Sequence, residues 1–105
     1  DPAYSPWVLN DNPESGEGYE AAVAYAVAEK LGFSKDQVVW KRTTFDSAIA
    51  PGAKDWDFNI QQFSITDARK QAVDFSSPYY TTSEAVVAVK GTPAAEAKSL
   101  EDLKS

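Results

Sequence analysis

The stretch Ser64–Tyr80 reads SITDARKQAVDFSSPYY, and its local chemistry divides it into parts. Thr66 offers a side-chain oxygen just before a helix-compatible run. It predicts an N-cap for a helical turn through Ala72, with Asp67 near the positive end of the helix dipole. Val73–Phe75 predicts a short strand, and Ser76-Ser77-Pro78 a turn. Arg69 is one of two arginines in the chain, the other being Arg42, and it lies one short turn beyond the hydroxyls of Ser64 and Thr66. A guanidinium meets a carboxylate with two parallel hydrogen bonds in one plane, which the point charge of a lysine does not reproduce. On spacing alone, a solvated helix arginine remains the simpler account of Arg69.

Working outward, the N-terminal residues 1–18 are rich in Pro, Asn, Asp and Gly. They predict a loop around a short strand at Trp7–Leu9, with a turn near Asn10–Gly16. From Glu17 to Leu31 the period changes. Tyr19, Val23, Ala26, Val27 and Leu31 recur every three or four residues, one face of a helix that Gly32 closes. Gln37–Thr44 (QVVWKRTT) predicts a strand. Phe45–Ala50 predicts a short helix ended by Pro51-Gly52, and Trp56, Phe58 and Ile60 alternate with polar residues as a strand does. Beyond the central stretch, Ala85–Val89 (AVVAV) predicts a buried strand and Lys90–Lys98 a linker. Ser99 with Asp102 is a capping box opening a final helix. The element order predicts an α/β layer structure.

Composition sets bounds on the chemistry. With 105 residues, 43% of them hydrophobic, the chain supports one small domain at most. No apolar run approaches the ~20 residues of a membrane span. A net charge of −6 argues against nucleic acid as a partner, because its binders carry basic patches. Acidity by itself is most simply a solubility property. Cys, His and Met are all absent. That removes disulfides, thiolate nucleophiles, zinc–sulfur sites and the commonest proton shuttle. Neither a metal site nor a cofactor is expected, and no catalytic residue is assigned.

Four segments in order carry a family resemblance. Ser64–Tyr80 resembles the signature of the amino-acid-binding family of bacterial periplasmic solute-binding proteins, a Ser/Thr-x-Thr-x-x-Arg run followed by Asp-Phe-Ser-x-Pro-Tyr-Tyr. Asp1-Pro2-Ala3-Tyr4-Ser5-Pro6-Trp7 is similar to the family's loop after its first strand. Gly18-Tyr19-Glu20, followed by a helix ending Glu29-Lys30-Leu31-Gly32, is similar to its Gly-Phe-Asp helix start. Phe45-Asp46-Ser47-Ala48-Ile49 is similar to the stretch that presents an aromatic ring to the ligand.

The resemblance implies a type II periplasmic-binding fold, two lobes clamping a ligand, each a three-layer α/β/α structure. Residues 1–90 would be the front part of lobe 1, and 91–105 a linker and the start of the crossover to lobe 2. The family's first strand would precede Asp1. A stretch lacking that strand and the second lobe is expected to bind weakly by itself and to self-associate.

The resemblance also implies roles for particular residues. Arg69 grips the α-carboxylate of an amino acid, and Ser64 helps. Tyr4 and Phe45 sandwich the ligand, and Asp1 faces the cleft. Asp74 is a buried structural residue. Gln61 and Gln62 depart from the small residues common in relatives. That predicts a smaller or more polar pocket with Gln62 at its edge, although Gln61 facing solvent is the simpler alternative. The function implied is capture of a polar amino acid, at the cell surface or in the periplasm, with or without a lipid anchor, for the membrane permease of an ABC importer. The alternatives are the ligand-binding part of a receptor or sensor, and a dehydratase-like enzyme of the same fold. Against the enzyme stands the lack of His and of a clustered carboxylate pair.

Overall fold

Helix α1 spans Tyr19–Lys30 and organises the computed structural model, which describes residues 4–104. Its first free N–H groups have no side-chain cap. They are met by carbonyls of the preceding loop: Tyr19 N donates to Pro6 O at 3.0 Å and Glu20 N to Trp7 O at 2.9 Å. That close approach is possible because residue 18 is glycine. Gly18 has φ +97°, and a Cβ there would lie 2.4 Å from Trp7 O. The other end closes as expected around Gly32 at φ +92°. Gly32 N donates to Glu29 O at 3.0 Å and Phe33 N to Ala28 O at 2.9 Å, the two bonds of a Schellman motif.

The buried face of α1 is not the one the apolar spacing predicts. Glu20, Ala21, Ala24 and Ala28 are buried, whereas Tyr19, Val27 and Leu31 are exposed, Leu31 to 65%. The small alanines let the helix approach its neighbours closely. Glu20 is drawn inward by three hydrogen-bond donors described below. Together these outweigh the pull of the larger apolar residues.

Beside α1 lies a second cluster. The Tyr25 hydroxyl donates to Glu14 O at 2.8 Å and accepts from Trp40 Nε1 at 3.0 Å. The Lys35 ammonium sits 4.8 Å from the Tyr25 ring centroid and donates to Ser15 O at 2.9 Å. The capping box Ser34–Gln37 starts the 3-10 turn Lys35–Gln37.

Among the described residues no strand is formed, so the expected strands stand corrected. Trp7–Leu9 is curled into turns, with the amides of Trp7 and Val8 both donating to Tyr4 O at 2.8 and 2.9 Å. Residues 38–44 and 58–60 carry no regular secondary structure. Instead of pairing, these stretches line a cavity of about 800 Å³ against the Ala21, Ala24 and Ala28 edge of α1. Gln61, which is buried, spans between them. Its Nε2 donates to Thr43 O at 3.2 Å and its Oε1 accepts from Asn59 Nδ2 at 2.7 Å. Residues 74–76 and 81–89 are likewise without ladder or helix. Val87 is 93% exposed, contrary to the buried strand predicted there. The α/β layering is thus represented by its helices and not by a sheet.

The remaining helices are short and locally capped. Helix α2 is Phe45–Ile49, its Thr44 cap accepting from Ser47 N at 3.2 Å. Helix α3 is Asp67–Lys70, and α4 is Pro93–Glu96 within the expected linker. Ser99 and Asp102 exchange the capping-box bonds read from the sequence, at 3.0 and 3.3 Å. The radius of gyration is 18.0 Å, against roughly 13 Å for a compact chain of this length. The accessible surface of 8401 Å² likewise exceeds the ~5,800 Å² of a compact monomer of this mass. Cohesion is concentrated around α1.

Candidate ligand-binding site

Helix α3 brings Arg69 against two aromatic rings. The Thr66 hydroxyl oxygen accepts from Arg69 N at 3.2 Å, capping α3 as the sequence predicts. Arg69 Nη1 donates to Ser64 O at 3.0 Å, folding the side chain back along the Ser64–Arg69 turn. Its guanidinium carbon stands 5.3 Å from the centroid of the Phe45 ring and 5.5 Å from that of Phe63. The two rings stack on each other at 3.9 Å with planes 23° apart. Helix α2 supplies Phe45 and residues 62–64 supply Phe63.

The two arginines are used differently. Arg42 pairs with Asp11 at 2.9 Å. Among the described residues Arg69 forms no ion pair, and its guanidinium makes one hydrogen bond, to Ser64 O. A guanidinium has five N–H donors, so a half-buried cation beside the two rings keeps donors for an incoming anion.

Of the six residues expected to bind ligand, the structure brings together Arg69, Ser64 and Phe45. Gln62 is next to them in the chain, but its Nε2 donates to the Glu20 carboxylate. The Tyr4 ring is 56% exposed and forms no aromatic pair among the described residues. Asp1 lies outside the described residues. Asp74, expected to be buried, is exposed. Gln61 does not face solvent, as noted above. The 800 Å³ cavity behind α1 is lined by none of these six among the described residues. It is bounded by unpaired backbone stretches, so it is not taken for the binding site despite its size.

Two features of the site are not legible in the sequence. Phe63 adjoins Ser64 but carries no signal beyond that adjacency. Glu20, 1% exposed, collects donors from two distant segments. Gln62 N donates to its Oε1 at 2.8 Å, the Gln62 amide donates to its Oε2, and the Tyr79 hydroxyl donates to its Oε1. Burial and the bond to Glu20 hold the Tyr79 hydroxyl well above the ordinary tyrosine range. Tyr19 OH reinforces the junction by donating to Tyr79 O at 2.6 Å. An acid in the first turn of a helix is favoured by the dipole even in solvent, so its presence at position 20 carries no signal of burial.

A model of bacterial extracellular solute-binding proteins, family 3, matches residues 1–104. The chain belongs to this family. The type II periplasmic-binding fold follows from membership. Among curated relatives, the chain is 31% identical to the arginine-binding periplasmic protein of Mannheimia haemolytica over 103 residues, 95% of this chain and 41% of the relative. It is 31% identical over 103 residues to the L-arginine-binding protein of Pseudomonas aeruginosa, 97% of this chain and 38% of the relative. It is 29% identical over 96 residues to the ABC transporter glutamine-binding protein GlnH of Bacillus subtilis, 88% of this chain and 34% of the relative. The chain therefore spans about two-fifths of the length of the relatives it matches. No solved structure matches it at comparable significance.

Proposed function

We propose that this chain is the ligand-gripping front part of an extracytoplasmic amino-acid-binding protein that serves the permease of an ABC importer. Arg69 receives the α-carboxylate of the ligand. The observation that carries this reading is the Arg69 guanidinium, set against the stacked Phe45 and Phe63 rings with no carboxylate partner among the described residues. The rings beside the cation exclude water from one side and leave its remaining donors for a planar anion. Ser64 is exposed and its hydroxyl is a further donor, and the apolar ring surface suits the aliphatic part of an amino acid. Membership in the family and relatives named for arginine and glutamine binding support the ligand class.

Calorimetry on the full-length protein with L-arginine, L-lysine, L-histidine and L-glutamine tests the reading. At least one is expected to bind, and Arg69→Ala is expected to weaken it by ~2–5 kcal/mol, as when one partner of a desolvated charge pair is removed. Wild-type affinity in Arg69→Ala rejects the role of Arg69.

A further inference from the structure

We infer that Glu20 is a positioning residue for the ligand site, holding the backbone at Gln62 so that Phe63 and Ser64 are presented to Arg69. This rests on the proposed function for the identity of the site, but not for the mechanics. Gln62 has φ +57°, in the left-handed region that a non-glycine residue enters only when its surroundings hold it there. The surroundings are the Glu20 carboxylate, which takes the Gln62 backbone N–H at 2.8 Å and its side-chain amide as well. The next residue, Phe63, forms the ring stack with Phe45, and the one after it, Ser64, offers its carbonyl to Arg69 Nη1 at 3.0 Å. A carboxylate buried at the start of α1 thus sets the exit direction of the chain segment that carries half of the site. Tyr79 supplies a third donor to the same carboxylate. It ties the end of the Ser64–Tyr80 stretch to the node that governs its beginning. Glu20 itself is buried and has no part in touching ligand.

The test uses the full-length protein, with Glu20→Ala, Glu20→Gln, Arg69→Ala and Tyr25→Phe. The last removes the hydroxyl that bonds Glu14 O and Trp40; it is a matched disturbance of packing away from the site. Affinities for the best-bound of L-arginine, L-lysine, L-histidine and L-glutamine are read by calorimetry well below each thermal midpoint. Hydrogen exchange is read at the Gln62 amide, which donates to Glu20, without ligand.

Glu20→Ala is expected to weaken binding about tenfold or more, since small misplacements of binding groups are costly, and to speed exchange of the Gln62 amide at least about tenfold, since that N–H loses its Glu20 acceptor. Glu20→Gln keeps an acceptor for the Gln62 N–H and should fall between Glu20→Ala and wild type. Tyr25→Phe should bind as wild type does. Wild-type affinity in a folded Glu20→Ala protein, with Arg69→Ala impaired, overturns the inference and leaves the proposed function standing. If no amino acid binds the wild type, the proposed function fails. The exchange measurement then decides alone, unchanged protection of the Gln62 amide in Glu20→Ala overturning the positioning role. Should Glu20→Ala not fold, the Glu20→Gln variant is judged by the same two readouts.

Discussion

Glu20 and Arg69 are opposite charges in opposite circumstances. Glu20 is shut away from water and its two oxygens are taken up by donors from Gln62 and Tyr79. Arg69 is partly exposed, lies beside two rings and makes a single guanidinium hydrogen bond among the described residues. A buried charge persists only where its partners are supplied by the fold, so the Glu20 node does structural work for neighbouring segments. A half-exposed cation with unused donors costs the fold little and is left for something outside it. The contrast separates what holds the molecule together from what it offers to a ligand.

The sharpest way to break the contrast is through the backbone beneath Glu20. Gly18→Ala would push a Cβ to 2.4 Å from Trp7 O at a φ of +97°. Both effects act against the native start of α1, and a loss on the order of 3 kcal/mol is expected. Urea denaturation followed by far-UV circular dichroism measures it. A near-neutral outcome would mean that the loop and α1 are not held together as described.

Alkaline titration sharpens the same side. Tyr79 is held above the ordinary value of about 10 by burial and by the bond to Glu20. Above pH ~10 the unfolded chain releases this proton while the folded one keeps it. The unfolded state then binds fewer protons, and stability falls as pH rises. Thermal midpoints recorded from pH 8 to 11 should decline in the wild type and decline less in Tyr79→Phe. Parallel slopes would show that Tyr79 is not coupled to the node.

The smallest effect is expected on the Arg69 side. Thr66→Ala removes the 3.2 Å cap of α3, and exposed caps of this kind contribute about 1 kcal/mol. Chemical denaturation of this variant should show that modest loss. A loss more than twice as large would make the Arg69 region as structurally committed as the Glu20 node and dissolve the distinction.

Features that depend only on neighbours in the chain are legible in the residues alone. Thr66 caps α3, Gly32 closes α1, Ser99 and Asp102 form their capping box, and Phe45 opens a short helix. Each is satisfied within a few residues, so each is readable from spacing. The family, too, is legible in four ordered motifs, and the match over residues 1–104 bears that out. What only the tertiary structure decided depends on distant partners. Apolar spacing places Tyr19, Val27 and Leu31 inward, yet the alanine edge and Glu20 are what become buried. Strand-like composition in residues 38–44 and 85–89 does not make strands, because a ladder requires a second backbone in register and the composition of one segment does not supply it. The node of Glu20, Gln62 and Tyr79 joins residues 42 and 59 positions apart. Hydrogen bonding over such separations leaves no periodicity in the chain, and it is created only when folding brings the donors to the acid.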